Sequence, residues 1–299
     1  MTSLPELQIF SLENNVKLAY RSLPTKPNPE LPTIVFFHPL LTDSSFFHRQ
    51  FIDPKLGGEA GRKWNLIAID LHGHGDTTGR DTFTFSDTSR DSLALLDHFK
   101  ISEVIAFGVS QGVLASLNLA ILRPELVKGV VIVGSSILPQ TPENLANLQR
   151  LTAGFPYDKQ STKAALFINW GAEYEHVLEY GDGPEGMSRT DWEQVWIDRY
   201  GGSKAKEERF HKALDLVLKL EDLEGDLHKI RARILMLHGS SDILLTVEAH
   251  AIPTKAIIEK AGLFDDLVVI EGGSHFLSWG KWQEVDTRLV AFEEKIFGA

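Results

Sequence analysis

Uninterrupted apolar runs recur along the chain, and the segments between them carry apolar residues at helical spacing. TIVFFH (Thr33–His38), NLIAID (Asn65–Asp70), EVIAFG (Glu103–Gly108), VKGVVIVG (Val127–Gly134), ARILMLHG (Ala232–Gly239) and DLVVIEG (Asp266–Gly272) are continuously apolar rather than alternating. That pattern predicts strands buried on both faces of a parallel sheet. Ahead of them, LQIFSL and VKLAYRSL, joined by the turn-forming ENN, predict a hairpin. SDTSRDSLALLDHF places Leu93, Leu96 and Phe99 on one helical face behind an acidic, Ser/Thr-rich start. VLASLNLAIL and DTRLVAFEEKIF also read as helices, as does EAHAIPTKAIIEKAG, with a break expected near Pro253. Strands alternating with helices give an α/β fold whose mostly parallel sheet is covered by helices.

The rhythm lapses from about Pro139 to Leu227. No strand-like run occurs there, and the segment holds NLANLQRLTAGF, STKAALFINWGAEYEHVLEY, DWEQVWIDRY and RFHKALDLVLKL. A structureless loop of that length is uncommon. Residues 139–227 are therefore expected to form a helical cap inserted into a core domain made of residues 1–138 and 228–299. Trp170, Trp192 and Trp196 fall in that insertion. Most of its aromatics belong to its own core, and some of these tryptophans are expected to face the substrate.

Composition narrows the classes. The chain has 299 residues, no cysteine and a formal net charge of −11. Disulfides, thiolate nucleophiles and zinc–thiolate sites are excluded. The acidic balance disfavours nucleic acid and anionic membranes as partners. No apolar run reaches the length of a membrane span, and the first residues lack the basic start and apolar stretch of a signal peptide. A cytoplasmic protein acting on a small molecule is the expectation, with oligomeric state open.

The junction between EVIAFGV and VLASLNLAIL carries the candidate chemistry. There GVSQG (Gly108–Gly112) puts Ser110 directly between strand and helix. A turn that tight strains the serine backbone, lifts Oγ out at the carboxyl end of the sheet, and leaves no room for side chains two positions either way. It also sets the N–H of Gln111 at a helix N-terminus, where an oxyanion can be held. A serine hydroxyl needs a base. His275 follows the last strand in GGSH, and Asp242 follows the preceding strand in GSSD. His275 is the expected general base and acid, and Asp242 the residue that fixes its tautomer. The second oxyanion donor is expected in HPLLTDSS after the strand at Thr33; the choice is Leu40, because Pro39 has no N–H. The plainer readings remain: Ser110 as a helix N-cap, and Asp242 as a cap of the following segment. His72 and His74, two apart in LHGHG, invite a metal reading, but no partner stands at familiar ligand spacing. No metal and no cofactor are expected.

With GVSQG, DLHGHGDT (Asp70–Thr77) and the pair HGSSD … GGSH, the chain resembles the α/β-hydrolase fold superfamily with a helical cap. The resemblance spans about residues 8–297. It implies a central, mostly parallel sheet and a structural loop at DLHGHGDT, with Gly73 and Gly75 making the turns and Asp76 bonding backbone. One departure stands out: the family's usual His-Gly in the oxyanion loop is His38-Pro39 here. His38 is expected to scaffold that loop or to meet substrate, and Phe276, beside the base, to line the pocket. Some relatives carry the acid after the strand ending VIVG; here Ser135 and Ser136 stand there. The reading is a serine esterase or lactonase acting on a small, fairly apolar molecule. Its rivals are a carbon–carbon bond hydrolase or a cofactor-free peroxidase-like enzyme with the same triad, and a non-catalytic small-molecule receptor on the same fold.

Overall fold

The apolar runs pair into one eight-stranded sheet in a computed structural model that describes residues 4–56, 63–139, 142, 145, 146, 198–200, 203–220 and 222–298. The strands are β1 (Gln8–Ser11), β2 (Lys17–Leu23), β3 (Thr33–Phe37), β4 (Asn65–Ile69), β5 (Val104–Val109), β6 (Val127–Val133), β7 (Arg233–Gly239) and β8 (Phe264–Ile270). Their order is β1-β2-β4-β3-β5-β6-β7-β8. The hairpin β1–β2 is antiparallel and joins β4 antiparallel, with Tyr20 opposite Ile69. All later pairings are parallel.

Continuous apolarity has a direct structural cause. Along β3, Ile34 and Phe36 enter one core while Val35 and Phe37 enter the other; β7 sends Leu235 and Leu237 one way and Ile234 and Met236 the other. Each such buried side chain contributes about 1.5–3 kcal/mol, so neither face tolerates a polar residue. The first core is covered by helices α1 (His48–Ile52), α6 (Leu277–Gly280) and α7 (Trp282–Phe297), through Phe51, Leu277, Leu289 and Phe292. The second is covered by α2 (Phe85–His98), α3 (Gly112–Leu122) and α5 (Ile252–Lys260), through Leu96, Leu117 and Ile258. Thr84 and Asp87 form a reciprocal capping box at the start of α2.

Two expectations need correction. β8 is not buried on both faces: it is an edge strand, and Val269 is 43% exposed. Continuous apolarity cannot distinguish an edge from a centre. Pro253 does not break its helix. A wide π turn over Val247–Ala251, in which the Ile252 N–H reaches back to the Val247 carbonyl, leads into α5, and Pro253 stands in the first turn of α5.

Most of the expected cap, residues 139–227, lies outside the described residues, including Trp170, Trp192 and Trp196. Within that interval α4 (Lys204–Leu218) buries Phe210 and Leu214 in the first core and stacks Phe210 edge-on to Tyr200.

Because β3 to β8 run parallel, the loops that leave their carboxyl ends share one rim. β4 and β5 flank β3 on opposite sides, which makes the β3/β5 crevice a topological switch point, where such sheets bind ligands.

Candidate active site

The corner after β5 is strained as expected. Ser110 has φ 51°, a left-handed conformation unfavourable for any residue with a Cβ. Neighbouring glycines make the corner possible. A Cβ on Gly108 would lie 2.5 Å from the Val113 backbone, and one on Gly112 would lie 2.1 Å from the Phe37 carbonyl oxygen. Gly112 thus lets α3 press directly against the end of β3. Ser110 does not cap α3; that position belongs to Gln111. The Ser110 hydroxyl lies 3.1 Å from His275 Nε2 instead.

His275 Nδ1 is 2.9 Å from Asp242 Oδ2. Three side chains from the ends of β5, β7 and β8 therefore form one hydrogen-bonded line. Asp242 also does the plainer job foreseen for it. Its Oδ1 accepts the N–H groups of Leu244 at 3.0 Å and Leu245 at 2.8 Å. Burial pushes its carboxyl up, but the charge and hydrogen bond of His275, the Leu245 N–H and His238 together hold it below the ordinary range. The loops bearing acid and base are joined by backbone bonds, Ser240 N–H to Ile270 O at 3.0 Å and Ser241 N–H to Gly273 O at 2.9 Å. Gly239 permits that approach, since a Cβ there would meet the Gly273 carbonyl at 2.2 Å.

His238, on β7 itself, lies beside the same carboxylate. Its Nε2 donates to the Leu245 carbonyl and lies 3.5 Å from Asp242 Oδ2. Burial lowers its pKa, so a neutral ring holds the acid loop.

The N–H groups of Leu40 and Gln111 meet no acceptor among the described residues. The Gln111 side chain is tied to the Gly-rich loop, where its Nε2 donates to His74 Nε2 at 3.1 Å. His74 can accept because its Nδ1–H donates to the His72 carbonyl at 3.0 Å.

His38 is held within the loop after β3 by both ring nitrogens. It is fully buried, its Nε2 accepts the Leu71 N–H at 3.0 Å, and its Nδ1 donates to the Pro39 carbonyl at 2.8 Å. Both nitrogens are thereby occupied. Burial, opposed by the Pro39 carbonyl and assisted by Arg199, lowers its pKa to about 3, so the ring stays neutral. Phe276 is 4% exposed and packs edge-on to the His275 ring at 5.8 Å, with Phe46 and Trp279 behind it. It supports the base rather than opening onto solvent.

In the Gly-rich loop the bonding role expected of Asp76 belongs to Asp70. The Asp70 carboxylate accepts the N–H of Ser44 at 2.7 Å and of Asp76 at 2.8 Å, while the Asp76 side chain is exposed. A Cβ on Gly75 would lie 1.9 Å from Asp70 Oδ2. His72 bonds Asp91 at 2.7 Å, and Arg80 grips the same carboxylate with two N–H groups. No cluster of three potential metal ligands occurs among the described residues. Nor is any helix among them long and apolar enough to cross a membrane.

Known proteins align with this architecture. A putative esterase/lipase of Haemophilus influenzae is 25% identical over 139 residues, 44% of this chain and 45% of its own length. An uncharacterized hydrolase of Bacillus subtilis, YugF, is 32% identical over 111 residues, 36% of this chain and 38% of its own. The chain thus aligns with less than half the length of these curated relatives. A carboxylesterase structure from Nitrososphaera gargenis superposes with a TM-score of 0.71 at 18% identity, covering 97% of this chain and 98% of that one; this likeness concerns the fold. The family model described as alpha/beta hydrolase fold matches residues 32–281, from the start of β3 to the start of α7 and through every corner described above. On that match, the chain belongs to the alpha/beta hydrolase fold family.

Proposed function

We propose that this protein is a cofactor-independent serine hydrolase that cleaves an ester or lactone of a small, fairly apolar molecule. The observation that carries the reading is the unbroken line from Ser110 Oγ to His275 Nε2 at 3.1 Å and from His275 Nδ1 to Asp242 at 2.9 Å. Ser110 Oγ attacks the carbonyl carbon while its proton passes to His275 Nε2. The tetrahedral oxyanion takes the N–H groups of Leu40 and Gln111. As the C–O bond breaks, His275 returns the proton to the departing alkoxide, leaving an acyl group on Ser110. Water, deprotonated by the same imidazole, then releases the acid. Asp242 stays ionised and stabilises the imidazolium. Relatives whose names include esterase and lipase support the ester choice over other bonds.

Hydrolysis of an aryl acetate and labelling by a fluorophosphonate test this directly. The wild-type protein is expected to do both, and Ser110→Ala to lose both while its circular dichroism spectrum is kept, with turnover falling about a thousandfold or more. A protein that cleaves a diketone but no ester would transfer the same machinery to a carbon–carbon bond. Activity equal to wild type in Ser110→Ala would remove Ser110 from the reaction.

A further inference from the structure

Among the described residues the loop after β3 contains a carbonyl on which three donors converge. It belongs to Pro39. His38 Nε2 accepts the Leu71 N–H, so the ring proton sits on Nδ1 and points at the Pro39 oxygen, 2.8 Å away. Thr42 Oγ1, 3.1 Å from His38 Nδ1, donates its own proton to the same oxygen at 2.8 Å. The Thr42 N–H closes a four-residue turn onto it at 3.4 Å. Leu41, third in that turn, has φ 59°. Turns of that form ordinarily take Gly or Asn there, so the leucine is held against its own preference.

The direction of this clamp matters because a trans peptide is rigid. Its C=O and N–H point to opposite sides of one plane, and the Pro39–Leu40 bond is trans. Drawing the Pro39 oxygen down towards His38 and Thr42 turns the Leu40 N–H the opposite way. The preceding stretch of the loop already lies against the serine corner, with the Phe37 and His38 carbonyls occupying the space of the missing Gly112 Cβ.

We infer that Thr42 is a positioning residue of the oxyanion hole, its hydroxyl holding the Pro39 carbonyl so that the Leu40 N–H stays aimed at the developing negative charge. Here a threonine stiffens a peptide whose orientation a Pro39 side-chain ring alone does not fix, since ψ of proline and φ of leucine remain free to turn it. The inference rests on the serine-hydrolase reading.

Thr42→Val removes the hydroxyl while keeping the shape; Thr42→Ser keeps the hydroxyl. For Thr42→Val, kcat/KM with an aryl acetate is expected to fall about 10- to 100-fold, less than outright loss of one donor. Affinity for an aryl trifluoromethyl ketone, which forms the tetrahedral adduct on Ser110, should fall in parallel. Affinity for the unreactive aryl ethyl ether, a mimic of bound substrate, should stay within twofold. Thr42→Ser should recover kcat/KM to within about threefold of wild type. A merely structural threonine would weaken ether and ketone alike, and that result overturns the inference, as does unchanged kcat/KM in Thr42→Val. If Thr42→Val fails to fold, Thr42→Ala against Thr42→Ser carries the same comparison, and equal rates in that pair also overturn it. Absence of turnover and of fluorophosphonate labelling in the wild-type protein would instead sink the hydrolase reading itself.

Discussion

Replacing Asp242 by asparagine should disable the site through the wrong tautomer rather than through unfolding. Two backbone N–H groups, of Leu244 and Leu245, point at Oδ1. An amide in this place must put its oxygen there, since its NH2 cannot face two donors. The NH2 then takes the place of Oδ2 and faces His275 Nδ1, now 2.9 Å from the carboxylate. Two donors cannot share that gap, so the imidazole moves its proton to Nε2 and accepts at Nδ1. Its Nε2–H then points at Ser110 Oγ, 3.1 Å away, and has no lone pair to receive the serine proton. Loss of the correct tautomer, together with loss of the negative charge beneath the imidazolium, costs on the order of 10⁴ in rate, about 5 kcal/mol of barrier. Both Oδ1 bonds survive, so the melting temperature should change far less than activity does. The assay is kcat/KM for an aryl acetate near pH 7.5, alongside a thermal melt. A rate within tenfold of wild type in folded Asp242→Asn would refute this account of the acid.

The remaining predictions concern stability. Gly112→Ala forces a methyl group to 2.1 Å from the Phe37 oxygen, so α3 must withdraw from β3 by about 1 Å; a loss of ~3 kcal/mol and a fall of several degrees in calorimetric Tm are expected. Gly225→Ala, whose Cβ meets nothing within 4 Å, serves as the control and should stay within about 0.5 kcal/mol of wild type. Burial raises the Glu293 carboxyl from 4.5 to about 7, with Lys63 opposing and Glu294 assisting. The folded state therefore holds a proton that the unfolded chain releases, and stability declines as pH rises from about 4.5 through 7. Glu293→Gln should melt ~2–4 °C above wild type at pH 8, what about 1 kcal/mol moves in a large domain, and match it near pH 4.5; equal melting at both pH values would contradict this.

What could be read from the sequence was what is local and periodic. The strands announced themselves because both faces of β3 to β7 are buried, and Ser110 because its glycine neighbours have no room for a Cβ. Asp242 and His275 could be placed because a parallel sheet delivers every strand end to one rim. What failed to show was long-range pairing of polar groups. His38 Nε2 accepts the Leu71 N–H, which comes from a distant loop. Gln111 Nε2 finds His74, 37 residues away along the chain, a pairing no local pattern announces. Asp70 and Asp76 are equivalent on paper, and only the close approach of Gly75 decides which carboxylate turns inward. Thr42 gave no signal, since a threonine after a turn is ordinary until its hydroxyl finds the Pro39 oxygen.

The outermost strand has a bearing on durability. Serine springs from β5, with β3 and β6 on either side, whereas imidazole and carboxylate are carried by the last two strands, of which β8 is bonded on a single flank. Marginal strands peel away at a fraction of the free energy needed to melt the interior. Detachment of β8 would carry the imidazole out of reach of an otherwise intact hydroxyl, so heat should silence such a molecule before it denatures it.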